Sequence, residues 1–209
     1  MSHKDDFEKI YTKPGAAIWT LNEPPTILKE LVETGTIKPC RTLDIACGEG
    51  TAAIYLASKG FTVTAIDFSE KAIEFARENA RKKGVEVEFR VMDALDLSGL
   101  NQKFDFIFEW AIIHHLQPEK VEAYIAQLPG LLNANGLYLT NSFNTESTSY
   151  GKTGDRIRKT PIGTELFYMS MREKRDLLEK HFTVLREERV DLVGQGVSQP
   201  GNFFLAKKK

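Results

Sequence analysis

Hydrophobic positions switch between two periods along this chain. Ile27, Leu28, Leu31 and Val32 recur at helical spacing directly after Pro24-Pro25 and predict a helix ahead of any sheet. Leu43 to Ala46 then reads as a short strand, Thr51 to Lys59 as a helix closed by Gly60, and Phe61 to Asp67 as a strand rich in Thr, Val and Ile. Ser69 fits a helix N-cap with Glu70 in the first turn. Ala72, Ile73, Ala76 and Ala80 follow at helical spacing until Gly84 stops the run. Val85 to Val91 alternates as a third strand. Phe104 to Glu109 is almost continuously apolar, the pattern of a strand covered on both faces in a parallel sheet. Pro118 opens a helix with an inner face of Val121, Tyr124, Ile125 and Leu128, and Asn135-Gly136 turns the chain into strand Leu137 to Phe143.

Beyond that strand, residues 144 to 164 are rich in Ser, Thr and Gly and too long for a neutral connection, so they read as a binding loop or lid. Ser170 with Glu173 makes a capping-box pattern before Leu177 and Leu178. Thr183 to Val190 and Asn202 to Lys207 read as a final antiparallel pair joined by a short, Gly-containing link. Alternating strands and helices predict one open, mostly parallel α/β sheet, with its ligand beyond the carboxyl ends of the strands. The expected organisation is a single domain over 1–209. It comprises an N-terminal lid and helix (1–40), a cofactor-binding core (41–143), a long loop or lid (144–169) and a C-terminal helix with its strand pair (170–209).

Composition narrows the function classes. With 28 basic and 29 acidic residues the net charge is −1, which removes the basic excess a dedicated nucleic-acid binder needs. The two cysteines, Cys40 and Cys47, make neither a disulfide framework nor a four-ligand metal site, so a reducing, cytoplasmic setting is expected. No apolar run approaches a membrane span. A monomer or weak dimer acting on a small molecule, without nucleic acid, membrane or metal, is the resulting expectation.

The chemistry concentrates in Leu43-Asp44-Ile45-Ala46-Cys47-Gly48-Glu49-Gly50, a strand running into a glycine-rich turn and then a helix. Gly48, Gly50 and Ala53 satisfy the spacing of dinucleotide binders, so a nicotinamide or flavin cofactor stays open on spacing alone. Asp44 points elsewhere: a carboxylate just before the turn gives a pyrophosphate nothing, whereas a sulfonium cofactor with an amino group gains from it. Asp67 ends the second strand 19 residues after Gly48, the usual place for a carboxylate that holds ribose hydroxyls. Asp93 with Ala94 supplies a further polar group after the third strand.

Leu43 to Gly50, Ala65-Ile66-Asp67-Phe68-Ser69, Met92-Asp93-Ala94 and Phe104-Asp105-Phe106-Ile107, in this order, resemble the class I S-adenosylmethionine-dependent methyltransferases. The resemblance implies a Rossmann-like fold, a mostly parallel seven-stranded sheet with an antiparallel C-terminal strand and helices on both faces. More narrowly, Trp19 with Pro24-Pro25, the chain length and the terminal strand pair look like the thiopurine S-methyltransferase and tellurite-resistance methyltransferase group. It further implies that S-adenosyl-L-methionine is the cofactor. In that family the glycine loop contacts the methionine part, the second-strand acid the ribose and the third-strand acid the adenine. The carried-over set is Trp19, Asp44, Ala46, Cys47, Gly48, Gly50, Asp67, Phe68, Ser69, Asp93, Ala94 and Glu109. Ala46 stands where many members have glycine, and it fits there if its φ stays below zero.

His114 and His115 follow the fourth strand, where acceptors sit in the resembled fold, and are the candidate catalytic bases. An aligned imidazole near its reference pKa of about 6.5 contributes on the order of 100-fold. Methyl transfer from a sulfonium needs chiefly in-line approach and exclusion of water, so a base is optional. Cys47 reads as a small filler rather than a nucleophile. Tyr11, Phe7 and Trp19 either close over the site or pack on the sheet. Arg156, Arg158 and Lys159 read as a solvated loop face, with an anion-orienting role as the alternative. Glu109-Trp110-Ala111-Ile112 lacks the Pro-Pro-aromatic motif of adenine and amide N-methyltransferases, and no cysteine after Cys47 can attack a cytosine ring. The expectation is a small-molecule methyltransferase acting on a thiol, chalcogen oxyanion or heterocycle. An NAD-dependent oxidoreductase and a non-catalytic S-adenosylmethionine-binding module are the alternatives.

Overall fold

The structure is a computed structural model describing residues 8–17, 19–160, 163–194 and 197–209. Phe7 and the loop residues at 161 and 162 therefore lie outside the described residues. Seven strands order as β3 (Glu88–Val91), β2 (Thr62–Asp67), β1 (Arg41–Ile45), β4 (Phe104–Trp110), β5 (Leu132–Phe143), β11 (Gly201–Lys208) and β8 (Phe182–Arg189), and the chain divides into two compact units, residues 1–104 with 194–196 and residues 105–193 with 197–209.

In the first unit, helix α1 (Thr26–Glu33) starts directly after Pro25, whose extended backbone stops a helix from beginning earlier. Strands β1 (Arg41–Ile45), β2 (Thr62–Asp67) and β3 (Glu88–Val91) pair in parallel, with Asp44 opposite Ala65 and Asp67 opposite Val91. Helix α2 (Thr51–Ser58) connects β1 to β2, and α3 (Glu70–Lys83) connects β2 to β3. The local signals decide the ends of α3. The Ser69 hydroxyl accepts the Ala72 N–H at 3.1 Å, and Gly84 leaves in the left-handed region at φ 66°. The buried face of α3 is Ala72, Ile73, Ala76 and Ala80, the set its periodicity predicts.

In the second unit, β4 (Phe104–Trp110) leads to a single 3-10 turn at Ile113–His115. Helix α4 (Pro118–Leu131) buries Val121, Tyr124, Ile125 and Leu128. Strand β5 (Leu132–Phe143) starts earlier than the Asn135-Gly136 signal suggests. Asn135 takes φ 64° inside the strand, so the pair marks an irregularity and not its beginning. The connection after β5 contains a small antiparallel ladder of β6 (Ile157–Lys159) with β7 (Glu165–Phe167), in place of an unstructured loop. Helix α5 (Met171–Leu178) carries the complete capping box of Ser170 and Glu173. Strand β11 (Gly201–Lys208) runs antiparallel to both β5 and β8 (Phe182–Arg189), so the last strand inserts beside β5. The link from β8 to β11 carries two further short strands, β9 (Leu192–Gly194) and β10 (Val197–Gln199). No helix among the described residues is long and apolar enough to cross a membrane.

Candidate functional site

The carboxyl ends of β1 and β2 build one cradle within the first unit. The ladder continues past β1, since the Cys47 N–H donates to the Ile66 carbonyl at 2.9 Å, and this holds the glycine turn against β2. Asp67 then reaches back. Its Oδ2 accepts the Gly48 N–H at 2.9 Å and its Oδ1 the Ser69 N–H at 2.9 Å, so one carboxylate fixes both turns. The side chain is buried, and burial pushes its pKa up to about 6 against the loop N–H groups that lower it. A carboxylate has about four acceptor positions. Backbone N–H groups of Gly48, Ser69 and Phe68 use three of them, so about one is left for a ligand hydroxyl.

Both loop glycines lie in the left-handed region. Gly48 sits at φ 53°, and a Cβ there would meet only the Tyr11 hydroxyl at 3.4 Å, so backbone conformation is what demands glycine. Gly50 sits at φ 82°, and there a Cβ would in addition come within 3.0 Å of the Phe89 ring and 3.1 Å of Ala76, so conformation and packing both favour glycine. Ala46 overturns the expectation of a negative φ. It adopts φ 57°, because the turn into Gly48 needs left-handed backbone and the glycine usual in the resembled family is missing.

Asp44 is buried in β1. Burial, with Asp44 and then Asp67 adding to it, pushes the Cys47 thiol well above its usual range and keeps it protonated, which suits a filler and not a nucleophile. Asp93 is exposed and its Oδ1 accepts the Leu95 N–H at 2.9 Å, so it shapes the turn after β3. Ala94 beside it is buried, while Phe68 is partly exposed. Trp19 is half-buried, and its Nε1–H donates to the Tyr11 hydroxyl at 2.9 Å.

Three of the sequence candidates belong to the second unit. Glu109 is fully buried at the end of β4. The Tyr138 hydroxyl at 3.1 Å and the Thr140 hydroxyl donate to its Oε1, and the Ile112 N–H donates to its Oε2 at 3.3 Å. Two hydroxyls of β5 and the Ile112 N–H thus hold Glu109 as a structural group of the second unit. Burial raises its pKa, and Lys174 opposes that. Sequence reasoning missed Lys174, which is fully buried on α5 and donates to the Ser142 hydroxyl and the Asn202 carbonyl, both at 2.9 Å. Burial brings its pKa down to about 7. Its spacing of four from Leu178, on the inner stripe of the helix, was the available signal.

His114 is also displaced from its expected role. It is 2% exposed and stacks on Phe143 at 3.7 Å between ring centroids, and burial holds its pKa well below the usual value. Its Nδ1 accepts the Phe143 N–H at 3.4 Å. An imidazole that resists protonation is a poor general base, so His114 is a packing residue. His115 is only partly buried. Arg158 corrects the solvated-face reading of the loop: it is 2% exposed, and its guanidinium donates to the carbonyls of Thr145, Ser147, Ser149 and Asp155.

Residues 42–136 match the family model of a methyltransferase domain. The chain is 29% identical over 103 residues to the probable S-adenosyl-L-methionine-dependent methyltransferase TehB of Haemophilus influenzae, covering 49% of this chain and 36% of that protein. It is 31% identical over 107 residues to the 2-heptyl-1-hydroxyquinolin-4(1H)-one methyltransferase of Mycobacteroides abscessus, covering 51% of this chain and 47% of that protein. The chain therefore spans about half the length, or less, of these curated relatives. Among solved structures, the 1,6-didemethyltoxoflavin-N1-methyltransferase of Burkholderia thailandensis, with bound 1,6-didemethyltoxoflavin and S-adenosylhomocysteine, aligns with a TM-score of 0.78 at 22% identity. That alignment covers 99% of this chain and 87% of that one. Residues 42–136 are thus similar to a methyltransferase domain, and the chain shares the fold of that solved structure.

Proposed function

We propose that the chain transfers a methyl group from S-adenosyl-L-methionine to a small molecule, as a monomer or weak dimer in the cytoplasm. The acceptor atom belongs to a thiol, a chalcogen oxyanion or a heterocycle. The observation that supports this reading is Asp67, a buried carboxylate at the end of β2 that ties the glycine turn to that strand, the place where the resembled family holds the ribose. The residues present fit the cofactor: Gly48 bears no side chain, Asp44 is a buried carboxyl just before the turn, and the resemblance puts adenine beside Asp93 and Ala94. When bound, S-adenosyl-L-methionine supplies an electrophilic methyl on a sulfonium. The chain's own work is to hold the ribose at Asp67, to keep Cys47 protonated and inert, and to exclude water. His115 is the remaining candidate for taking a proton from a neutral acceptor.

The similarity to TehB, to a quinolone methyltransferase and to a toxoflavin N1-methyltransferase supports the small-molecule class. Titration with S-adenosylhomocysteine and with NAD, followed by a turnover panel of thiols, selenite, tellurite and N-heterocycles, tests the reading. Binding of S-adenosylhomocysteine with turnover of a panel member is expected. Binding of NAD instead overturns the cofactor, and cofactor binding without any turnover favours a non-catalytic module.

A further inference from the structure

Glu49 lies between the two loop glycines, and its carboxylate is buried and occupied. The Gly15 N–H donates to its Oε1 and Oε2 at 2.9 and 3.0 Å, and the Thr20 hydroxyl donates to Oε1 at 3.0 Å. Next to it, the Thr51 hydroxyl donates to the Leu21 carbonyl at 2.8 Å. At the other end of the same segment, the Glu70 N–H donates to Glu8 Oε1 at 2.6 Å. Tyr11 and Ala17 are buried with Ala72, and Ile10, Trp19 and Phe75 pack around them. The described residues from 8 to 21 thus form a strap across the glycine turn and the start of α3, tied at both ends, with the Tyr11 hydroxyl beside Gly48. Asp67 is only 6% exposed with the strap in place. A nucleoside cannot reach that carboxylate from solvent unless the strap lifts.

We infer that Glu49 is a latch: its grip on Gly15 and Thr20 sets how often the strap opens, and therefore how fast S-adenosylmethionine and S-adenosylhomocysteine exchange. This rests on the cofactor reading above. Glu49 is a positioning residue, acting through the strap and not on the reacting atoms. Hydrogen bonds to an ionised acceptor are roughly twice as strong as neutral ones, so the carboxylate holds the strap more firmly than an amide would. The latch also explains why an acid occupies a loop position whose neighbours are chosen for small size.

Two readouts test it. Hydrogen exchange of residues 8–21 in the cofactor-free protein reports opening, and stopped-flow mixing with S-adenosylhomocysteine, followed by the fluorescence of Trp19, reports passage. Glu49→Ala is expected to raise strap exchange by about tenfold or more, and to speed association and dissociation by similar factors with Kd nearly unchanged. Glu49→Gln, which keeps an acceptor oxygen, should fall between Ala and wild type, and Thr20→Val should give a smaller effect than Ala. If Glu49→Ala folds poorly, Gln and Val decide. Unchanged strap exchange in variants of native stability overturns the latch. A faster dissociation alone, with weaker affinity, also overturns it, because Glu49 would then belong to the binding site itself. If wild-type protein does not bind S-adenosylhomocysteine, the cofactor reading fails, while strap exchange still decides the latch.

Discussion

Ala46 holds a conformation that a side chain resists. A Cβ in the left-handed region costs about 1 to 2 kcal/mol, part of which glycine returns as unfolded-chain freedom. Ala46→Gly should therefore stabilise the protein by about 1 kcal/mol, read as a rise in Tm of roughly 2 to 4 °C for a chain of this size. Asp67 gives the pH dependence. Its folded pKa is raised to about 6, so its contribution to folding is fully present in acid and is lost as pH rises through that value. Cofactor binding runs the other way, since ribose hydroxyls donate to the ionised form. Calorimetric affinity for S-adenosylhomocysteine should be flat above about pH 7 and weaken by up to about tenfold per pH unit below 6. Asp67→Ala should weaken it by about 1 to 3 kcal/mol. Asp67 was legible because its spacing from Gly48 reflects a fixed strand-helix-strand geometry. The strain at Ala46 was not, because a methyl group leaves no trace of φ in a sequence.

At the scale of elements, the parts written in local chemistry were legible: the Ser69 cap, the Gly84 stop, the Ser170 and Glu173 box, and the inner faces of α3 and α4. The connection after β5 was not. Its order comes from Arg158, whose partners are main-chain carbonyls and whose guanidinium lies 3.9 Å over the Tyr168 ring. Carbonyl partners can belong to any residue type, so no pattern announces them. Arg158→Ala should open this connection, seen as proteolytic cleavage between residues 144 and 160 under conditions where wild type resists. Arg158→Lys should not restore it, because an ammonium cannot reproduce the planar fork of donors.

For the whole molecule, a net charge of −1 hides how many ionisable side chains lie in the interior: Asp44, Glu49, Asp67, Glu109, Arg158 and Lys174 are all buried. Composition reads only the sum. Lys174 donates to the Ser142 hydroxyl and the Asn202 carbonyl and acts on Glu109 through its charge, so Lys174→Met, which leaves those acceptors unpaired, should cost about 1 to 3 kcal/mol in denaturant unfolding. Adding Glu109→Gln should recover part of that loss, and a double variant whose cost equals the sum of the singles would show that the two do not interact. The placement of one of these side chains also bears on how the strap can diversify. Glu49 grips a main-chain N–H at Gly15, where φ is 74° and no neighbour crowds a Cβ. The contact is therefore blind to most strap side chains, which are free to drift between related enzymes. Relatives with the same closure are better sought by an acid between two loop glycines and a glycine 34 residues earlier than by overall identity.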